Sequence, residues 1–107
     1  MISWDQVMSL RDDVGHDDFG EVVDIFLEDV EETLAGLARG PLLEQVLHAL
    51  KGSALNLGFN AFAGLCAEGE RMAAQGAGDA VDLGAIRSCY AESRALFLDE
   101  LPTRTAA

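Results

Sequence analysis

The segment LHALKGSALNLG, residues 47 to 58, decides the fold prediction. Apolar residues recur in it at steps of three and four, which is the spacing of a buried helical face. These residues are Leu47, Leu50, Ala54 and Leu57. At about 100° per residue, the same helix turns His48, Lys51 and Gly52 to its opposite side. Gly52 is unfavourable there, because glycine in a helix interior costs about 0.5–1 kcal/mol relative to alanine.

The same periodicity extends along the chain and predicts five helices and no strand. A short first helix begins at Ser3, which forms a capping-box pair with Gln6, and ends near Asp13. The last helix is expected to begin at an Asp79 cap and to end at Pro102. The four longer helices are predicted over residues 17–38, 41–57, 60–74 and 79–101. Their short connections predict an all-α fold, an antiparallel four-helix bundle with a short N-terminal capping helix.

The fourth predicted helix carries its own apolar stripe. Its inward residues are Phe62, Leu65, Cys66, Gly69, Met72 and Ala73. Cys66 and Cys89 both lie on or near apolar stripes, which predicts buried free thiols. Free thiols are typical of a reducing compartment, so we expect a cytoplasmic protein and no disulfide framework.

The composition is that of one small domain. The chain has 107 residues, half of them apolar, and we predict a single domain over residues 1–107 with a flexible tail at 102–107. Its 19 acidic and 7 basic residues give a net charge of −12. That balance argues against nucleic acid or an anionic membrane as partner, because both attract clustered Lys and Arg. The N-terminus MISWDQVMSL lacks a signal peptide's basic start and apolar run, and its Met and helix cap favour a stand-alone protein.

Spacing alone leaves several interpretations of His48 open. It can be an ordinary surface histidine, which needs no further explanation. A metal ligand is disfavoured, because metal sites in helical bundles use inward residues from several helices and the only other histidine, His16, lies in a predicted loop. A triad base is disfavoured because no hydroxyl nucleophile is paired with it. The remaining interpretation is a nucleophilic imidazole that is itself modified.

The neighbours of His48 favour modification. A phosphoryl group on the ring would bring a charge of about −1.5 to −2. Lys51, one turn away, could hold it with a charge-assisted hydrogen bond. Gly52 removes a side chain where another protein's backbone could come close, although tight packing against a neighbouring helix is the alternative. Leu55 places an apolar residue on the same face and is a candidate docking contact.

The run HALKGSALNLG resembles the signature of histidine-containing phosphotransfer (Hpt) domains. That signature has a histidine, two residues, Lys-Gly, small residues and a hydrophobic-Gly ending. The resemblance extends to FLEDVEETLAGL in the long helix and to FAGLCAEGERMA after the motif. Two features depart from it. The link RGP between the second and third helices is short, and Leu47 stands before His48 where relatives often have alanine.

The resemblance implies a phosphorelay carrier in two-component signalling, with no ATP binding, no independent catalytic activity, no cofactor and no metal site. His48 would accept a phosphoryl group from a receiver-domain aspartate and pass it to another receiver. Lys51 would bind the phosphate, Gly52 would give clearance for docking, and the receiver would supply Mg²⁺. The expected partners are response-regulator receivers and a hybrid histidine kinase, and we expect a monomer. The alternative is a non-transferring helical adaptor that binds a receiver or another signalling protein through the His48 face.

Docking is expected to use a small apolar patch around His48. Its candidate residues are Gly52, Leu55, Gln45, Pro41 and Ile25. Glu70 lies at the flank of the fourth helix's stripe, and in some Hpt relatives a carboxylate there meets the histidine ring. Glu70 is therefore a candidate to orient His48, and an exposed charge that pairs with nothing is the alternative.

Overall fold

The computed structural model describes residues 1–105, and every regular element within them is helical. The helices are α1 (Trp4–Val14), α2 (Phe19–Ala35), α3 (Leu43–Leu57), α4 (Asn60–Ala74) and α5 (Leu83–Arg104), with a 3-10 turn at Gly78–Ala80. The prediction of an all-α fold is confirmed.

Several helix starts and ends differ from the predicted ones. The long helix α2 ends at Ala35 and not near residue 38. The third helix begins at Leu43, because residues 41 and 42 form a turn in which the Leu43 N–H bonds the Gly40 carbonyl at 3.2 Å. The cap of α5 is Asp82 and not Asp79: Oδ1 of Asp82 accepts from the Ala85 N–H at 2.9 Å.

The prediction that the last helix ends at Pro102 is wrong, because α5 continues to Arg104. Proline fixes a φ close to the helical value and removes one N–H donor, which a last turn tolerates if other contacts hold it. Here the first helix supplies them. Arg11 Nη1 donates to the Thr105 carbonyl at 3.0 Å, and the Arg104 guanidinium lies 5.3 Å from the centroid of the Trp4 ring. The flexibility predicted for 102–107 stays a prediction, and residues 106 and 107 lie outside the described residues.

The core lies along α3, which packs against α1, α2 and α4. Buried apolar residues from every helix contribute to it, among them Val7, Val23, Leu27, Val30, Leu47, Leu50, Phe62, Ile86 and Phe97. Three aromatic rings connect the first and last helices to the turn between α3 and α4. Trp4 stacks on Phe97 at 5.7 Å between centroids, and Phe97 packs edge-on against Phe59 at 5.3 Å. Leu65 is an exception to the predicted stripe of α4, because it is exposed.

Gly58 makes the turn that folds α4 back along α3. It has φ +80° in the left-handed region, where its missing side chain matters most. The Phe59 N–H bonds the Ala54 carbonyl at 2.8 Å, and the Gly58 carbonyl accepts from the Ser3 N–H at 2.7 Å. Ser3 also caps α1, with its Oγ 3.3 Å from the Gln6 N–H. The return half of the predicted capping box is absent, since the Gln6 side chain donates instead to the Asn56 carbonyl at 3.3 Å.

We predict that Gly58→Ala destabilises the domain by clearly more than Gly76→Ala. Both glycines have φ near +80°, so both substitutions bear the left-handed cost of about 1–2 kcal/mol. A Cβ at Gly58 would also lie 2.6 Å from the Ser3 carbonyl oxygen, whereas one at Gly76 would meet nothing within 4 Å. Urea unfolding of the two variants measures the difference, and equal losses would contradict the close approach at Gly58.

Candidate functional site

The exposed side of α3 presents the residues that the sequence singled out. His48 is 69% exposed, and Gln45, Gly52 and Leu55 are exposed beside it. The opposite side of the helix is buried, because its leucines fill the core. The imidazole is therefore anchored by a rigid helix and is accessible to a second protein.

Glu70 on α4 joins His48 to Lys51. Its Oε2 lies 2.8 Å from His48 Nδ1, and its Oε1 lies 2.7 Å from Lys51 Nζ. The Glu70 side chain is only 22% exposed, so the carboxylate is enclosed between the two helices. The alternative that Glu70 pairs with nothing is wrong. Each of the two carboxylate oxygens contacts a different residue of α3.

The Glu70 contact determines which ring nitrogen of His48 is free. An ionised carboxylate only accepts hydrogen bonds, so Nδ1 carries the proton when the imidazole is neutral. Nε2 then holds the unshared electron pair. Glu70 on the neighbouring helix thus fixes the tautomer of the His48 ring, and Nε2 is the nucleophilic nitrogen.

Charge pairing keeps Glu70 ionised. The hydrogen-bonded Lys51 ammonium, followed by the bond from His48, lowers the pKa of Glu70 below its ordinary value of 4.5. Because the folded pKa is the lower one, the stability that this carboxylate contributes is fully present above pH 4.5 and is lost as the pH falls through the folded value. The bridge is therefore intact near neutral pH.

Gly52 lies in open space. A Cβ added to it would meet no atom of this chain within 4 Å, so the alternative of tight packing against a neighbouring helix is wrong. Gly69 on α4 is different. A Cβ there would lie 2.9 Å from Leu47 Cδ1, so Gly69 packs tightly against α3. The sequence predicts that Gly69 faces inward but does not predict its partner.

The candidate docking residues are all exposed and belong to α2, α3 and the turn before α3. Leu55 is 51% exposed on the side of α3 that carries His48, and Pro41 is exposed in the turn before α3. Ile25 is 57% exposed on α2, opposite that helix's buried stripe, and is not part of the group formed around Glu70. Leu42, directly before α3, is 62% exposed and is not among the predicted docking residues.

Among residues 1–105, no group of three or more His, Cys, Asp or Glu side chains could hold a metal ion. None of the helices in this part of the chain is long and apolar enough to cross a membrane. Cys66 and Cys89 are free, and only Cys66 is fully buried; its burial raises the pKa of the thiol to about 12.

Comparison of the chain with known protein families gives one match. A family model described as the Hpt domain matches residues 21–96, from the first turn of α2 to a point nearly two thirds along α5. The match includes His48, Lys51 and Glu70. Comparison with curated proteins and with solved structures gave no match.

We predict that Glu70→Gln loosens the His48 ring. The amide keeps the size of the side chain but loses the charge that holds Nδ1–H and Lys51, so the neutral ring should populate both tautomers. The ¹⁵N shifts of the two ring nitrogens, followed over a series of pH values, measure this. Glu68→Gln is the matched control, because Glu68 lies on the same helix and pairs with Arg71. Ring shifts that are the same in Glu70→Gln and in the wild type would contradict the orienting contact.

Proposed function

Since the chain belongs to the Hpt domain family, we propose that it is a phosphorelay carrier that receives and donates a phosphoryl group at His48. The donor is a receiver-domain aspartyl phosphate, and the acceptor is the aspartate of another receiver. The observation that carries this proposal is the exposed imidazole whose Nδ1 is bonded to Glu70 at 2.8 Å. A partly shielded carboxylate that fixes the ring of an exposed histidine is expected where the ring has a chemical role.

The proposed transfer uses few groups of this chain. The electron pair on Nε2 attacks phosphorus in line, the N–P bond forms, and the P–O bond to the aspartate breaks as its carboxylate leaves. Glu70 stabilises the positive charge that develops on the ring by accepting from Nδ1–H. The receiver supplies Mg²⁺ and the remaining charge stabilisation, so the chain is a carrier without independent enzymatic activity.

Lys51 is the proposed phosphate partner. Its ammonium stays close to the imidazole because Glu70 holds it at 2.7 Å. A phosphoryl group with about −1.5 to −2 charge on Nε2 offers a second anion to the same ammonium. Such a charge-assisted bond to a solvated phosphate contributes about 1.5–3 kcal/mol at most.

The proposed docking surface surrounds His48 on α3. Gly52 supplies the clearance, Leu55 the apolar contact, and Gln45 and Pro41 its margin. Ile25, on α2, is a second proposed contact. Transient interfaces of this kind are small and draw their energy from a few central contacts. The remaining features of the proposal are a monomer in the cytoplasm, a hybrid histidine kinase as a further partner, and the antiparallel four-helix bundle with α1 as its cap.

We predict that His48→Gln abolishes phosphoryl acceptance and leaves the fold intact, because the ring is exposed. The measurement is transfer of label from a phosphorylated receiver into an acid-labile, base-stable adduct. His16→Gln is the control, since His16 is the other histidine and lies beside Asp12. Label persisting in His48→Gln would overturn the assignment, and receiver binding without label in the wild type would favour the adaptor.

We predict that Gly52→Gln moves stability and transfer in opposite directions. Glutamine has the higher helix propensity, so unfolding free energy should rise by about 0.5 kcal/mol. Transfer from a receiver should fall by about tenfold or more, because the new side chain occupies the clearance. Gly20→Gln on α2 is the matched control, since Gly20 is also exposed with open space around it. Wild-type transfer by Gly52→Gln would contradict the clearance role.

A further inference from the structure

Leu47 and Gly69, the residues directly before His48 and Glu70, meet between α3 and α4. A Cβ added at Gly69 would lie 2.9 Å from Leu47 Cδ1, well inside the usual separation of packed carbon atoms. Both residues are buried. The backbone of α4 therefore lies directly against the Leu47 side chain at the level of the site.

Gly69 is also enclosed from the other side. The same Cβ would lie 3.2 Å from Val81 Cγ1 and 3.6 Å from Ile86 Cδ1, and both of these residues are buried. Arg39 holds the Val81 segment in place, because its Nη2 donates to the Val81 carbonyl at 2.9 Å. A side chain at Gly69 could not be accommodated by moving α4 away from Leu47 without displacing that segment.

This close approach sets the gap that Glu70 bridges. Its two oxygens contact His48 Nδ1 at 2.8 Å and Lys51 Nζ at 2.7 Å, so neither contact has slack. Glu70 directly follows Gly69, and His48 directly follows Leu47. A change in helix separation at Gly69 therefore reaches both contacts of the carboxylate.

We propose that Gly69, with Leu47 packed on it, is a positioning residue for His48. The pair keeps α3 and α4 close enough for Glu70 to hold Nδ1–H and Lys51 at the same time. This inference rests on the proposed function, in which Nε2 is the nucleophile. It also explains the leucine that precedes His48: its bulk fills the space that Gly69 leaves, so the two sizes are complementary.

The test is Gly69→Ala, examined with and without a compensating change. The ring ¹⁵N shifts of His48 should move toward those of Glu70→Gln. Phosphorylation by phosphoramidate, which transfers its phosphoryl group to the ring with release of ammonia and needs no docking, should slow by about three- to tenfold. Leu47→Val in the same chain removes one methylene and restores the total volume, so the double variant should regain the wild-type ring shifts and rate.

A destabilised control separates positioning from general loss of packing. Leu27→Ala removes a buried side chain of α2 and should leave the ring shifts unchanged. If Gly69→Ala does not fold, Val81→Ala replaces it, because it removes the stop behind Gly69 and should move the ring shifts in the same way.

Three outcomes decide the inference. Wild-type ring shifts in Gly69→Ala would overturn it, and so would an equal disturbance in Leu27→Ala. Ring shifts that depend on Gly69, in a wild-type protein that accepts no phosphoryl group from a receiver or from phosphoramidate, would support the positioning of the ring and overturn the proposed function.

Discussion

The hairpin of α3 and α4 is the constraint on which the site depends. Gly58 reverses the chain in a left-handed conformation, and the N–H of Ser3 bonds its carbonyl, so the N-terminus secures the turn. From that turn the helices run back along each other until Leu47 meets Gly69. Only this pairing places one carboxylate of α4 against two residues of α3, since the partners are about 20 residues apart in the chain.

The cations of the chain serve its own structure. All seven Lys and Arg side chains lie in the described part of the chain, and each contacts an oxygen of the same protein. Arg87 satisfies the carbonyls of Leu34 and Leu37 at the end of α2, and Arg39 ties the segment before α5 to the link before α3. The net charge of −12 comes from carboxylates in excess of these cations, and it acts on solubility and on the rate of encounter with a partner.

The site combines a rigid support with an accessible ring nitrogen. Glu70 and Lys51 are partly shielded, whereas the His48 ring stands in solvent. Shielding strengthens the contacts that orient the ring, because competing water is excluded from them. Exposure leaves Nε2 accessible, and Gly52 leaves the surface beside it without a side chain.

Helical periodicity in the sequence determined the all-α fold, the buried face of α3 and the exposure of His48, because each follows from residues three and four apart. It also determined the proximity of Lys51 and Gly52 to His48 within one helix. Periodicity did not determine the helix ends: contacts from Arg11 and Arg104 carry α5 past Pro102, and Asp82 replaces Asp79 as its cap. Only the tertiary structure decided that Glu70 bridges His48 and Lys51 and that Gly69 receives Leu47. These contacts join separate helices, and no local spacing encodes the distance between two helix axes.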